Sequence, residues 1–174
     1  MRTDPDWKVQ MVAAELLGRA GIGERGRAIP ALLDALRLET PEHIYDDSVL
    51  LWWAEADRKF AKEGPEPFLR GRGSSADAVK RHRLKVAIIE ALGKLHAREA
   101  VADLCAIVED QREFYPVHSA ACRALGLIGD PAALPTLERA ANYPEANTKY
   151  RAADAIARIR TGLPASTAYP DRAG

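Results

Sequence analysis

Residues 117–137 read VHSAACRALGLIGDPAALPTL, and the spacing of their apolar side chains decides the architecture. Val117, Ala121, Ala124 and Leu125 recur at helical intervals, which is the stripe of an amphipathic helix that buries one face. Small residues stand where a second helix has to come close. Gly126 follows, and it is expected to end or loosen the helix, because glycine takes the left-handed cap conformation without a Cβ penalty. Beyond it Leu134, Leu137 and Ala141 mark a second apolar helix. The unit is therefore a helical hairpin.

The same template recurs along the chain. Leu84, Ile88, Ala91 and Leu92 precede Gly93, which lies 33 residues before Gly126. Val9, Ala13, Leu16 and Leu17 precede Gly18, and Thr148, Ala152, Ala155 and Ile156 precede Ala157, 31 residues after Gly126. Val101, Leu104 and Val108 form the second helix after Gly93; Ile29, Leu32 and Leu36 form the one after Gly18, past a longer loop. Hairpins repeated at this period bury their apolar faces only on their neighbours. Gly18 and Gly93 stand 75 residues apart, which leaves room for one further unit. A diverged repeat is expected there, over 40–75. Thr40 and Pro41 open it, Val49, Trp52, Trp53, Ala56 and Phe60 supply its stripe, and Gly64, Pro65 and Pro67 break it. Ser75 is the expected N-cap of the next helix.

The stretches 117–137 and 150–159 resemble HEAT repeats of the phycobilisome-lyase-like type. The resemblance covers most of 6–37 and 80–160, and 40–79 poorly. It implies an all-α fold, a right-handed α-solenoid of about four HEAT-like hairpins with the second diverged and the last truncated. One domain is expected over 1–162, with hairpins at 6–37, 40–75, 77–110 and 115–142 and a capping helix at 147–160. A flexible tail is expected over 163–174. About function the resemblance implies little, because the repeat serves many unrelated tasks. Handling of a tetrapyrrole is one such task, and no residue here is assigned to a bilin. HEAT-like metal-dependent hydroxylases carry His-Glu pairs where this chain has His118 and Ser119.

Charged residues are 29% of the 174-residue chain, hydrophobic ones 47%, and the formal net charge is zero. That balance suits a folded domain and disfavours a disordered or broadly basic one. There is no apolar run long enough for a membrane span and no apolar leader after Met1, so a cytoplasmic protein with no membrane contact is expected. Cys105 and Cys122 fall on apolar stripes and are expected to be reduced core residues.

No catalytic set can be assembled, and no cofactor or metal is expected. Gly21 to Gly26 match the G-x-G-x-x-G pattern, but a helix precedes them where phosphate binding needs a strand. His43, His82, His96 and His118 lack metal-ligand spacing. Asp46 and Asp47 suit a helix start better than acid–base work.

Two features remain as candidate partner-binding surface. The stretch from Arg70 to Lys85 holds Arg70, Arg72, Lys80, Arg81, Arg83 and Lys85 against Asp77 alone, a local excess of +5. Arginines in such a loop can grip phosphates or an acidic partner. Trp52 and Trp53, with Phe68, concentrate aromatics in the diverged unit. Neighbouring helical residues point about 100° apart, so the two indoles cannot share one direction. The expected function is a non-catalytic scaffold or adaptor that binds a protein through its second-helix face and the 63–83 insertion. Phosphate or nucleic-acid binding through 70–85 is the alternative. A continuous phosphate track is not expected, because the second helices contribute Asp34, Asp103, Glu109, Asp110 and Glu138 against Arg37 and Arg139.

Overall fold

The structure, a computed structural model, describes residues 7–19, 24–38, 73–110 and 113–162. Among the described residues the elements are all helical. They are α1 (Trp7–Gly18), α2 (Arg25–Leu38), α3 (Gly73–Lys94), α4 (Val101–Glu109), α5 (Tyr115–Ile128), α6 (Leu134–Ala140) and α7 (Ala146–Thr161). Short 3-10 turns at Arg98–Ala100 and Pro131–Ala133 lead into α4 and α6. Helices α1, α3, α5 and α7 stack in one layer, and α2, α4 and α6 pack on it as a second, which is an α-solenoid.

The first layer is held by one contact made three times. A Cβ on Gly18 would stand 2.8 Å from the Cα of Ala91, on Gly93 2.9 Å from that of Ala124, and on Gly126 2.8 Å from that of Ala155. These glycines are points of closest approach. The reading of them as helix ends holds only for Gly18, the last residue of α1. Gly93 and Gly126 lie inside helices that run on to Lys94 and Ile128, since closing the helix there would pull the backbone away from the neighbouring alanine. The left-handed residues come three positions later. Gly129, at φ +74°, closes α5 and donates its N–H to the Leu125 carbonyl at 3.0 Å. His96, at φ +50°, takes the matching place after α3, and the Ala97 N–H reaches back to the Leu92 carbonyl at 3.0 Å.

Register follows from this contact. The positions nine, six and two residues before each glycine face the preceding helix: Leu84, Ala87 and Ala91 in α3, and Val117, Ala120 and Ala124 in α5, all buried. Thr148 and Ala155 keep the pattern in α7, where the Thr148 hydroxyl donates to the Tyr115 carbonyl at 3.4 Å. In α1 the pattern fails. Val9, Val12 and Leu16 are 48, 48 and 60% exposed, because no described helix precedes α1. The expected burial of Val9 and Leu16 is thus corrected, while Ala14, which faces α3, is fully buried. Second-helix residues Leu32, Leu36, Leu104, Val108 and Leu137 fill the space between the layers.

Helix α1 packs directly on α3, and the Gly18–Ala91 contact repeats the later interfaces. Among the described residues the first hairpin and the 77–110 hairpin are thus direct neighbours, despite the gap of two periods in sequence. The stripe from Val49 to Phe60 and the tail 163–174 lie outside the described residues. Ser75 is not the N-cap of α3, which already runs from Gly73.

Replacing Gly126 with Ala is expected to destabilise the protein by about 1–3 kcal/mol, because the added methyl has only backbone to push against. Gly26→Ala, where a Cβ meets nothing within 4 Å, is expected to be neutral or to stabilise by up to about 1 kcal/mol. Urea unfolding of the two variants checks the contrast.

Candidate protein-binding surface

Helix α4 packs beside α6, whereas α2 leans on α3 and α1. A groove of about 510 Å³ runs between α2 and the turn that joins α3 to α4. Its floor is apolar, from Ile29, Pro30 and Leu33, and its rim carries Arg25, Asp34, Arg98 and Glu99. Arg25 donates from its guanidinium to the Leu95 carbonyl and so ties the start of α2 to the end of α3. His96 lines the same groove, with its Nδ1 held 2.5 Å from the Leu127 carbonyl. Arg98 is exposed and has no ion-pair partner among the described residues.

A second groove of about 410 Å³ continues the first along α4. Arg37 borders both and pairs with Asp103 at 3.1 Å. At its base Lys85 forms a buried ion pair with Glu113, with side chains 8% and 6% exposed. The other oxygen of Glu113 accepts the Phe114 N–H at 3.0 Å, which holds the entry to α5. His118 occupies the register of Lys85 one unit later, and its Nε2 lies 2.8 Å from the Asp110 carbonyl. Both polar side chains thus turn to the 110–114 segment. Sequence reading missed this pair; the shared register of Lys85 and His118 was the available signal.

Acids and cations along the second helices neutralise one another. Arg139 pairs with Glu109, and Arg160 with Glu138 at 2.6 Å. Thr136 and Arg139 hold the Glu109 carboxyl below the usual range. No uninterrupted cationic track forms among the described residues of this face.

The candidate residues are divided by the structure. Trp52, Trp53, Phe68, Arg70 and Arg72 lie outside the described residues. Lys80 and Arg81 belong to the backbone of α3, and their side chains also lie outside them. Arg83 is exposed on α3. Lys85 leaves the basic surface altogether, because it is buried against Glu113. His82, next to Arg83, is 9% exposed with its ring 5.6 Å from that of Phe114.

Cys122 is fully buried and Cys105 half-buried, and both thiols are free. Burial pushes the Cys122 thiol up to about 12 and raises that of Cys105 as well, so neither is set up as a nucleophile. Among the described residues no group of three His, Cys, Asp or Glu could hold a metal, and no helix is long and apolar enough to cross a membrane.

Residues 80–157 match the family model of HEAT repeats. The similarity to HEAT repeats is confined to these residues. The match spans α4, α5 and α6 with most of α3 and α7, so the second groove lies largely within the matched residues. No curated protein and no solved structure matches the chain.

Removing Lys85 alone, as Lys85→Met, is expected to cost about 3–5 kcal/mol, because it strands a buried carboxylate. Adding Glu113→Gln should recover part of that loss in urea unfolding; strictly additive losses would show that the two groups are not coupled. Burial, aided by the Arg83 cation, lowers the His82 imidazole from 6.5 to about 4. The unfolded chain therefore binds the proton first as pH falls from 6.5 to 4, and stability is lost through that window, by up to about 3 kcal/mol. His82→Leu should flatten this part of the stability–pH curve.

Proposed function

We propose that the chain is a non-catalytic interaction module, a scaffold or adaptor that seats a protein partner in the groove between α2 and the turn that joins α3 to α4. The observation that carries this reading is the make-up of the groove, an apolar floor under a rim of both charge signs, with Arg98, a cation without an ion-pair partner among the described residues, on the rim. A peptide segment with apolar anchors and mixed charge fits such a surface. The HEAT repeats support it in general terms, since stacked hairpins present a rigid curved face. We extend the surface to the 63–83 stretch, with Phe68, Arg70, Arg72, Lys80, Arg81 and Arg83 as candidate contacts. One indole of the Trp52 and Trp53 pair completes it. Membership of the phycobilisome-lyase-like subtype, and a cytoplasmic location, belong to the same proposal.

Exposed Arg83, within a stretch rich in cations, favours a second reading, the binding of phosphate or nucleic acid. The paired charges of the second-helix face speak against it as the main role, because Arg37 and Arg139, with Arg160 of α7, already face carboxylates.

Affinity capture from native extract identifies the partner. Arg98→Glu, and separately the joint change of Arg70, Arg72, Arg81 and Arg83 to Glu, are expected to reduce capture roughly tenfold with an unchanged urea midpoint. Unchanged capture by both variants would sink the proposal. Titration of labelled nucleic acid at two salt concentrations separates the readings, since phosphate contacts weaken steeply with salt.

A further inference from the structure

Each first-layer helix presents two sides to its neighbours. The reference glycine, with the residues four and seven before it, faces the following helix. The residues nine, six and two before it face the preceding one. Each set falls within about 60° of arc on an ideal helix, and the two lie about 160° apart. The forward set is Met11, Ala14 and Gly18 in α1 and Val86, Ile89 and Gly93 in α3, all buried or half-buried. Gly18 on Ala91, Gly93 on Ala124 and Gly126 on Ala155 fix one register for all three joints. Glu90 paired with Arg123 at 3.2 Å, each three residues before its glycine, shows the parallel alignment again at the rim.

Two sets remain open. The rearward set of α1, Val9, Val12 and Leu16, is 48, 48 and 60% exposed. Counted from Ala157, which stands where the other helices have glycine, the forward set of α7 is Tyr150, Ala153 and Ala157. All three are exposed. One face is thus the rearward half of a joint, and the other is the forward half.

We propose that α1 of a second copy of this chain seats on α7, in the register that the chain already uses three times. That register sets Leu16 of the second copy opposite Ala157, Val12 opposite Ala153 and Val9 opposite Tyr150. Bulk on α1 therefore meets small residues on α7 at two levels, and the Tyr150 ring covers the third. The joint continues the internal stack from one copy into the next. Alanine in place of glycine, and leucine in place of alanine, hold these helices further apart than Gly18 and Ala91, so the joint is weaker than the internal ones. It forms as concentration rises. Charge does not oppose it: the formal net charge is zero. Glu15 comes level with Asp154, and Arg158 already holds that carboxylate at 2.8 Å. The interface is heterologous, so each added copy brings a fresh open face and copies join end on end. Neither groove takes part, and the association stands apart from any partner seated there.

Light scattering of the full chain over a range of concentrations tests this. The average mass is expected to rise with concentration; a monomer throughout would overturn the proposal. Leu16→Asp and Ala157→Asp should each weaken association by more than about tenfold, because each buries a carboxylate without a partner. An equimolar mixture of the two variants should form a dimer and stop there, since it holds one intact face of each kind. Association that survives Ala157→Asp would mean that α1 pairs with itself, and association that survives Leu16→Asp would place the contact elsewhere. Either result, or a mixture that stays monomeric with both urea midpoints unchanged, refutes the joint. Should a variant fail to fold, the unmodified chain decides. With isotope-labelled and unlabelled copies mixed, an amine cross-linker is expected to join Lys8 of one copy to Lys149 of another, and absence of that mixed link counts against the proposal.

Discussion

Everything in this molecule is referred to the near-contact of a glycine on one helix with an alanine on the next. Removing the Cβ from Gly18, Gly93 and Gly126 lets the first-layer helices meet at backbone distance. At that distance the flanking side chains interlock over their whole length, and many small dispersion gains add up. Because the contact recurs at one register, it sets which residues face back, which face forward and which face the second layer. The burial of Ile88, Ile89, Leu92, Leu125 and Val117 follows from that setting. Helix α2 leans on α3, and the first groove opens between it and the turn after α3.

The repeat and its apolar stripes were legible because helical spacing is a local property. The role of the glycines was not. Gly126 and Gly129 are three residues apart and both plausible as caps, and only the neighbouring helix distinguishes the one that packs from the one that turns. His96 hides the matching turn after α3, since nothing in its side chain announces a left-handed backbone. Seventy-five residues separate Gly18 from Gly93, yet α1 and α3 are in direct contact, because distance along the chain does not say which helices are neighbours.

Charge was the least legible property. Lys85 reads as one more cation in a basic run, and it is the presence of Glu113, 28 residues later, that takes it out of solvent. His82 likewise reads as part of the same exposed stretch but lies against Phe114. Pairings of this kind join residues from different hairpins, and no local pattern encodes them. The acids of the second helices are plain in the sequence, but their ladder of ion pairs emerges only once α4, α6 and α7 are side by side.

The grip of Lys85 and His118 on the 110–114 segment bears on how the array deforms. The linker between the second and third described hairpins is clamped from both sides, by a buried ion pair on one and by an imidazole contact on the other. On the other side of α4 the tie is the solvent-exposed Arg37–Asp103 pair, which reaches across from α2. Water screens an exposed pair and not a buried one, so α4 is bound to its two neighbours with unequal strength.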